Sequence, residues 1–376
     1  MENWINFTDR KIVEVQSKIN DYRKDFFQRS SGIQLPNTTC VGGLEKPTKK
    51  ELRIDYFVSM PVKNQEKIIK DVLYDLISSI DKDFKLGLLF DNCSDESLNI
   101  CKDFFSKSSL SFQHLQEVFF IKSDGELFES TAENILFKLC NQKYFVTIQS
   151  DLYFVDVSFL SRSESAFSLV PDLFAISGKA LVSFKTLTRS KAFLNSLLHA
   201  FNAIRKLRPI GIRKVRLGLF LPKLGYFGDM SSPPDVLMKF KRKELNTLFL
   251  GEAIIRGPVV WKAEIFRELN GYDDVAHPLG RDDCDICFRA YLLGYMSGYL
   301  PCVAYSIFKQ GTTRKKRSPD DQNSLDARNF LAKRFPSRLT DYWNGELDSS
   351  LTNKLSQQKT RFKINYSKSI FLTNKS

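Results

Sequence analysis

Three carboxylates in four positions open the stretch RDDCDICFRA, where Asp282, Asp283 and Asp285 stand just ahead of an apolar run. Such a cluster can cap a helix, bind a metal or supply a catalytic base. Ile286, Ala290 and Leu293 recur at helical spacing after it, and Gly294 is placed to end that helix. Acidic residues at a helix start satisfy exposed N–H groups and complement the helix dipole, which accounts for one or two of the three. A third adds repulsion without adding a cap. An Asp held at the mouth of a cleft can also take a proton from a hydroxyl group.

Further acids fall at the ends of apolar runs. Pro61-Val62-Lys63-Asn64, Asp91-Asn92-Cys93-Ser94-Asp95, Ser123-Asp124-Gly125 and Gln149-Ser150-Asp151 each follow one. Asp and Asn make turns and caps without any chemistry, but three Asp-bearing tips out of four is a concentration that suggests a ligand edge. Cys284-x-x-Cys287 has half the spacing of a zinc site, yet no second CxxC pair or His cluster accompanies it among 7 Cys and 3 His.

The elements that must position these residues show in the hydrophobic rhythm. IDYFVSMP (54–61), KLGLLFDN (85–92), EVFFIKSDG (117–125) and YFVTIQSDLYF (144–154) are short apolar runs. They alternate with helical patterns through 68–80, 97–105 and 130–139. Continuous apolar strands between amphipathic helices indicate a parallel sheet covered on both faces, so a doubly wound α/β core is expected over 52–155. Residues 1–30 read as an amphipathic helix built on Ile12, Val15, Ile19, Tyr22 and Phe26. Residues 30–51 read as a linker or ordered extended arm. The segment 156–250 has helical periodicity at 193–204 but no motif, and reads as an insertion near a second substrate. Around Gly257-Pro258 two short strand pieces, 253–255 and 259–261, precede a helix through Ile265, Phe266 and Leu269 that Asn270-Gly271 stops.

Among 376 residues, 43% are hydrophobic, 26% are charged and 32 are Phe, which excludes wholesale disorder and indicates a core packed by aromatic mass. The net charge of +13 attracts anions, whether nucleic acid, acidic lipid or phosphorylated small molecules. Much of that excess lies at 309–317 and in the tail at 359–369. No stretch approaches the roughly 18 apolar residues a membrane span needs, and MENWINFTDRK lacks a basic region followed by an apolar block. These features predict a cytoplasmic protein with reduced thiols, whose tail is suited to peripheral membrane contact. Neither Gly-x-Gly-x-x-Gly nor GxxxxGK[ST] follows a strand, which disfavours Rossmann and P-loop nucleotide binding.

Taken in order, these blocks resemble family 2 glycosyltransferases of the GT-A fold. DYFVSMPVKNQEKIIKDVLYDLISSI is similar to the family's opening strand, Pro-Val-x-Asn turn and first helix, and FDNCSDES to its nucleotide-binding loop. STAENILFKLCNQKYFVTIQSDLYF resembles the helix and strand leading to the metal motif, and RGPVVWKAEIFRELNGYDD then RDDCDICFRAYLLGY its acidic block. The resemblance covers roughly 54–155 and 251–305. It implies a GT-A-type, mostly parallel sheet flanked by helices, with a helical and loop insertion and accessory terminal segments. The implied divisions are a helix and linker at 1–51, a nucleotide-sugar-binding half at 52–155, an acceptor-region insertion at 156–250, a catalytic half at 251–335 and a basic tail at 336–376.

The function it implies is an inverting transferase of polysaccharide biosynthesis, moving a hexose-type sugar from a nucleotide-sugar donor to a hydroxyl of a glycan or lipid-linked acceptor. Asp283 becomes the candidate base, with Asp282 as second choice. Pro61, Asn64, Asp91 and Asn134 fall to donor binding, with Asp91 near the nucleobase or ribose. Asp151 falls to a divalent cation, Mn2+ or Mg2+, that bridges the donor diphosphate. This chain departs from the family in keeping only the last Asp of the metal motif and in having Phe308-Lys309 where members often carry His. Lys309 and Arg314 are the implied partial substitutes, on a loop that closes over the donor. No nucleic-acid partner is expected. The competing readings are a non-catalytic basic binding protein on a degenerate transferase fold, and a nucleotidyltransferase, for which PVKNQEK is a poor version of the usual Gly-rich turn. Asp151 and Asp283 facing one cleft, with Asp91 at its nucleotide end, would favour the transferase.

Overall fold

The computed structural model describes residues 4–47, 53–107, 112–178, 181–182, 246–251, 254, 256–277, 282–300, 302, 304–306 and 361–364. Lys309, Arg314, Arg281, the periodicity at 193–204 and most of the expected insertion and tail lie outside the described residues.

In chain order, β1 (Ile5–Asn6), α1 (Asp9–Arg29) and β2 (Thr38–Glu45) come first. The α/β rhythm follows as β3 (Tyr56–Val62), α2 (Ile69–Ser79), β4 (Phe84–Asp91), α3 (Ser97–Lys107), β5 (Leu115–Ser123), α4 (Phe128–Phe137) and β6 (Tyr144–Thr147). After it come β7 (Leu152–Phe154), α5 (Phe159–Leu169), β8 (Leu173–Ser177), β9 (Leu181–Val182), β10 (Thr247–Gly251) and β11 (Val259–Lys262). Then α6 (Ala263–Glu268), α7 (Asp282–Leu292), β12 (Met296–Tyr299), β13 (Ala304–Ser306) and β14 (Arg361–Lys363) complete the described elements.

The expected mixed α/β architecture is present. One large sheet runs β1-β2-β5-β4-β3-β6-β11-β8-β12-β10-β14, and its β5-β4-β3-β6 core is parallel. Side chains alternate across it as strand geometry demands. Tyr56, Val58, Met60, Phe84, Leu86, Leu88, Val118 and Phe120 pack on one face with α2, α3 and α5. Phe57, Leu89, Phe119, Ile121 and Phe145 pack on the other, beneath α1, α4, α6 and α7. Both faces are buried, which is why these strands read as unbroken apolar runs.

Three features differ from the sequence expectation. The segment around 30–51 supplies β2, which pairs antiparallel with β5 and so belongs to the sheet. The run at 144–154 is two strands, because the chain turns at Gln149, whose carbonyl accepts from Leu152 N at 3.1 Å. As a result β7 joins β13 and β9 in a separate three-stranded sheet. Finally, β11 enters antiparallel between β6 and β8, with Val259 opposite Thr147 and Ser177. Apolar content alone does not encode strand direction.

Gly87 seats α4 on β4. A Cβ there would meet Leu136 Cδ2 at 2.8 Å and the Phe57 ring at 2.9 Å. Gly87→Ala is therefore expected to destabilise by roughly 1–3 kcal/mol through overpacking, read as a lower urea midpoint at unchanged slope. An unchanged midpoint would show that α4 is not pressed against the sheet.

Candidate functional site

The first turn of α4 is where the strand tips meet. Asp91 ends β4, and its buried carboxylate accepts from Leu127 N at 2.7 Å, immediately before that helix. Burial pushes the Asp91 carboxyl above its ordinary value, while the Leu127 amide and Lys63 pull it back. Lys63 Nζ lies 3.9 Å from Asp91 and 3.6 Å from Glu126. Two residues into the helix segment, Glu129 accepts from Gln149 Nε2 at 3.1 Å. That contact ties down the Gln149-Ser150-Asp151 turn, in which Asp151 is buried. Ser130 Oγ, next along, is 2.9 Å from Asp282 Oδ2 and 3.0 Å from the His277 carbonyl. Its single proton can serve only one of them at a time. Asp91, the 149–151 turn and the start of α7 thus all contact residues 127–130.

Arg256 fills the centre of the acidic cluster. Its Nη1 is 3.0 Å from both Glu129 and Glu133, in ion pairs whose angles fall short of hydrogen bonds. Its Nη2 pairs with Asp282, and the guanidinium lies over the Tyr272 ring, 4.6 Å from the centroid. Burial works against the Arg256 charge, and Glu129 and Glu133 more than offset it, so the group is held above its usual value. Glu133 is fully buried. Burial pushes its carboxyl up to about 8, Arg256 draws it down and Glu129 raises it further. A carboxyl buried in this way keeps its proton more readily than one in water. Beneath the guanidinium, Tyr272, Trp261, Phe266 and Phe137 form a chain of edge-to-face aromatic contacts with centroids 4.6 to 5.8 Å apart. Such packing fixes the floor of the cluster.

The three Asp of α7 occupy its first turn and take different partners. Asp282 is buried against Arg256 and Ser130. Asp285 is buried and accepts from Arg289 Nε at 2.7 Å, and Arg289 in turn donates to the Gly271 carbonyl at 2.8 Å. Asp283 is half-buried. One of its oxygens accepts from Cys284 N at 2.8 Å and the other from Arg256 N at 3.3 Å. Leu293, expected on the inner face of this helix, is exposed, and Cys284, Cys287 and Phe288 are buried in the core. All seven cysteines are free thiols.

The remaining sequence candidates have defined surroundings. Asn64 adopts φ 51° and its side chain accepts from Ser94 N at 2.9 Å, joining the loops after β3 and β4. Pro61 lies within β3, opposite Leu89. Asn134 is buried and clasps the backbone of Tyr272 with both ends of its amide, at 2.9 and 3.0 Å. Its partner loop turns on Gly271, where φ is +68° and a Cβ would meet Asn134 Oδ1 at 2.4 Å. Asp124 is a surface residue paired with Lys122. The sequence reading missed Glu129, Ser130, Glu133, Arg256 and Tyr272. A signal was present: two Glu four apart on an otherwise apolar helix face repel unless a cation sits between them, and Arg256 interrupts the apolar AIIRGPVVW.

Among the described residues, no group of three or more His, Cys, Asp or Glu side chains is arranged to hold a metal ion. Asp151 offers one carboxylate, which suits a cation completed mainly by substrate phosphates rather than one caged by protein. No helix of the described residues is long and apolar enough to cross a membrane.

No known protein family matches the chain, and no curated protein does. Solved structures with a similar course include a mannosyltransferase from Pyrobaculum calidifontis in complex with GDP-Man and Mn2+, at 12% identity over 92% of this chain and 78% of that one, with a TM-score of 0.47. Another is S. aureus TarS 1–349 in complex with UDP-GlcNAc, at 12% identity over 80% of this chain and 70% of that one, also with a TM-score of 0.47. At such identities and scores these likenesses assign the chain to no family.

Proposed function

We propose that this protein is an inverting glycosyltransferase that moves a hexose-type sugar from a nucleotide-sugar donor to a hydroxyl of a glycan or lipid-linked acceptor. The observation that carries the reading is the convergence on residues 127–130 of Asp91, of the Gln149-Ser150-Asp151 turn through Gln149, and of Asp282, whose neighbour Asp283 accepts from the Arg256 amide. In a parallel sheet core, that edge is where ligands bind.

On this reading Asp91 and Lys63 line the nucleotide end, with Pro61 and Asn64 shaping the adjoining loop. Asn134 acts at a distance, through its grip on Tyr272. Asp151 would hold Mn2+ or Mg2+ jointly with the donor diphosphate, and the cation would neutralise the departing charge. Lys309 and Arg314 keep the supporting role the resemblance implies.

Asp282 is engaged by a guanidinium and a hydroxyl, so Asp283 is the better base. Two backbone amides orient its carboxylate. It takes the acceptor proton as that oxygen bonds to the anomeric carbon and the bond to the diphosphate oxygen breaks. One carboxylate suffices for this direct displacement, and the anomeric configuration inverts.

Three outcomes are expected. Asp283→Asn lowers kcat for release of the donor's nucleotide by about 10²–10⁴ with donor KM little changed, measured as nucleoside diphosphate from UDP-, GDP- and dTDP-sugars and as CMP from CMP-sugars. Preserved turnover would remove Asp283 from the mechanism. In thermal-shift assays one donor class raises the melting temperature, and Asp151→Ala abolishes the manganese-dependent part of that rise. Flat curves on folded wild type would favour non-catalytic binding. The third outcome concerns pH. Because the folded Glu133 carboxyl sits at about 8 against an ordinary 4.5, its contribution to stability is full below pH 4.5 and is lost as pH rises through 8. Wild type should therefore lose stability over that window, on the order of 1 kcal/mol per pH unit, relative to Glu133→Gln. Parallel curves in urea unfolding at pH 5 and 8 would contradict this.

A further inference from the structure

We propose that Asp274 is a positioning residue through which the N-terminal helix α1 holds the base-bearing end of the site in place. The positioning role rests on the transferase reading above, while the physical coupling it requires does not.

Asp274 is 1% exposed, and both its oxygens are taken by one helix. Tyr22 Oη donates to Oδ2, and Arg29 Nη1 donates to Oδ1 at 3.0 Å. The two donors are seven residues apart, two helical turns, and so share one face of α1. That face is seated by Val15, Ile19, Tyr22 and Phe26 in the same core cluster as Phe266, Tyr272 and Ile286. Arg29 is itself steadied by Asp25, which accepts from its Nε at 3.0 Å. A buried carboxylate with two such donors is bound tightly to them, and losing either leaves charge in a poorly solvated place.

The turn that carries Asp274 is also gripped by the candidate site. His277 N donates to the Asp273 carbonyl at 2.8 Å and closes the turn. The His277 carbonyl meets Ser130 Oγ, the hydroxyl that reaches Asp282. The His277 ring lies 3.9 Å from Asp285, both residues being fully buried. At the other end of the loop, Arg289 of α7 holds the Gly271 carbonyl. Residues 271–277 are thus bracketed by α7 and α4, and α1 fixes the middle. The first turn of α7, with Asp283 in it, takes its position partly from contacts made 245 and 252 residues away in sequence. At the nucleotide end, Asp91 accepts from Leu127 N, and Lys63 pairs with Asp91 and Glu126.

The test compares full-length wild type with Tyr22→Phe and Asp274→Asn by amide hydrogen exchange and by steady-state release of the nucleotide from each donor of the panel. Tyr22→Phe deletes one hydroxyl and keeps the packing, so it stays informative should Asp274→Asn fold poorly. The expected result is faster exchange confined to 270–277 and 282–286, with β4 unchanged. Kinetically, kcat falls about tenfold while donor KM stays within about twofold, because only the base end has moved. Exchange that rises nowhere, or equally throughout the chain, overturns the coupling. Coupling with unchanged kcat, or with a KM effect alone, overturns the positioning role and leaves the transferase reading standing. Absence of turnover by wild type on every donor overturns that reading, and the positioning role falls with it.

Discussion

The guanidinium of Arg256 among the carboxylates is the interaction on which the rest of the site depends. Glu129, Glu133 and Asp282 all lie within ion-pair reach of it, and Asp283 takes its backbone amide. Several acids drawn together out of water repel one another and lose hydration, and a single planar cation with a fork of donors is the least disruptive remedy. Sheet topology explains how it arrives there. Because β11 runs antiparallel between β6 and β8, its beginning lies beside their ends, Val259 facing Thr147 and Ser177. Arg256, three residues earlier, therefore reaches the carboxyl-terminal edge of parallel strands laid down more than a hundred residues before. A parallel strand at that position would have delivered its opening residues to the opposite edge.

What could be read from the sequence follows from what side-chain pattern encodes. The β3-α2-β4-α3-β5-α4-β6 order was legible because strands buried on both faces are apolar throughout, and the helices between them keep a 3.6-residue stripe. Direction is not encoded that way, so the antiparallel entries of β2 and β11 were not legible. Nor was the break after β6: YFVTIQSDLYF looks continuous because Gln149-Ser150-Asp151 is polar enough for a tip but carries no Gly or Pro to announce a turn.

The candidate site was legible in part, for a related reason. Strand-end acids stand out against apolar runs, so Asp91, Asp151 and the α7 cluster were visible. Glu133 and Ser130 lie inside a helix, where polar residues usually mark a solvated face, and only their burial reveals otherwise, while Glu129 beside them is half-buried. Asn134 shows the converse. It was singled out by resemblance, and its amide clasps the backbone of Tyr272 at both ends, so it braces the 271–277 loop.

The three acids of RDDCD, open in the sequence to readings as cap, metal ligand and base, take different partners within one helical turn. Asp285 faces inward and restrains Arg289, which locks the preceding loop. Asp282 faces α4 and shares Arg256 with two glutamates. Helical geometry puts these two residues about 300° apart, that is, 60° from one another on the same inner side, while Asp283 turns about 100° away from Asp282. Asp283 is the one of the three that is half-buried rather than buried. On the proposed transferase reading, that exposure makes it the candidate base of the three. The same logic explains why three acids are tolerated at one helix start: two have cationic partners, and the third caps its own helix through Cys284 N.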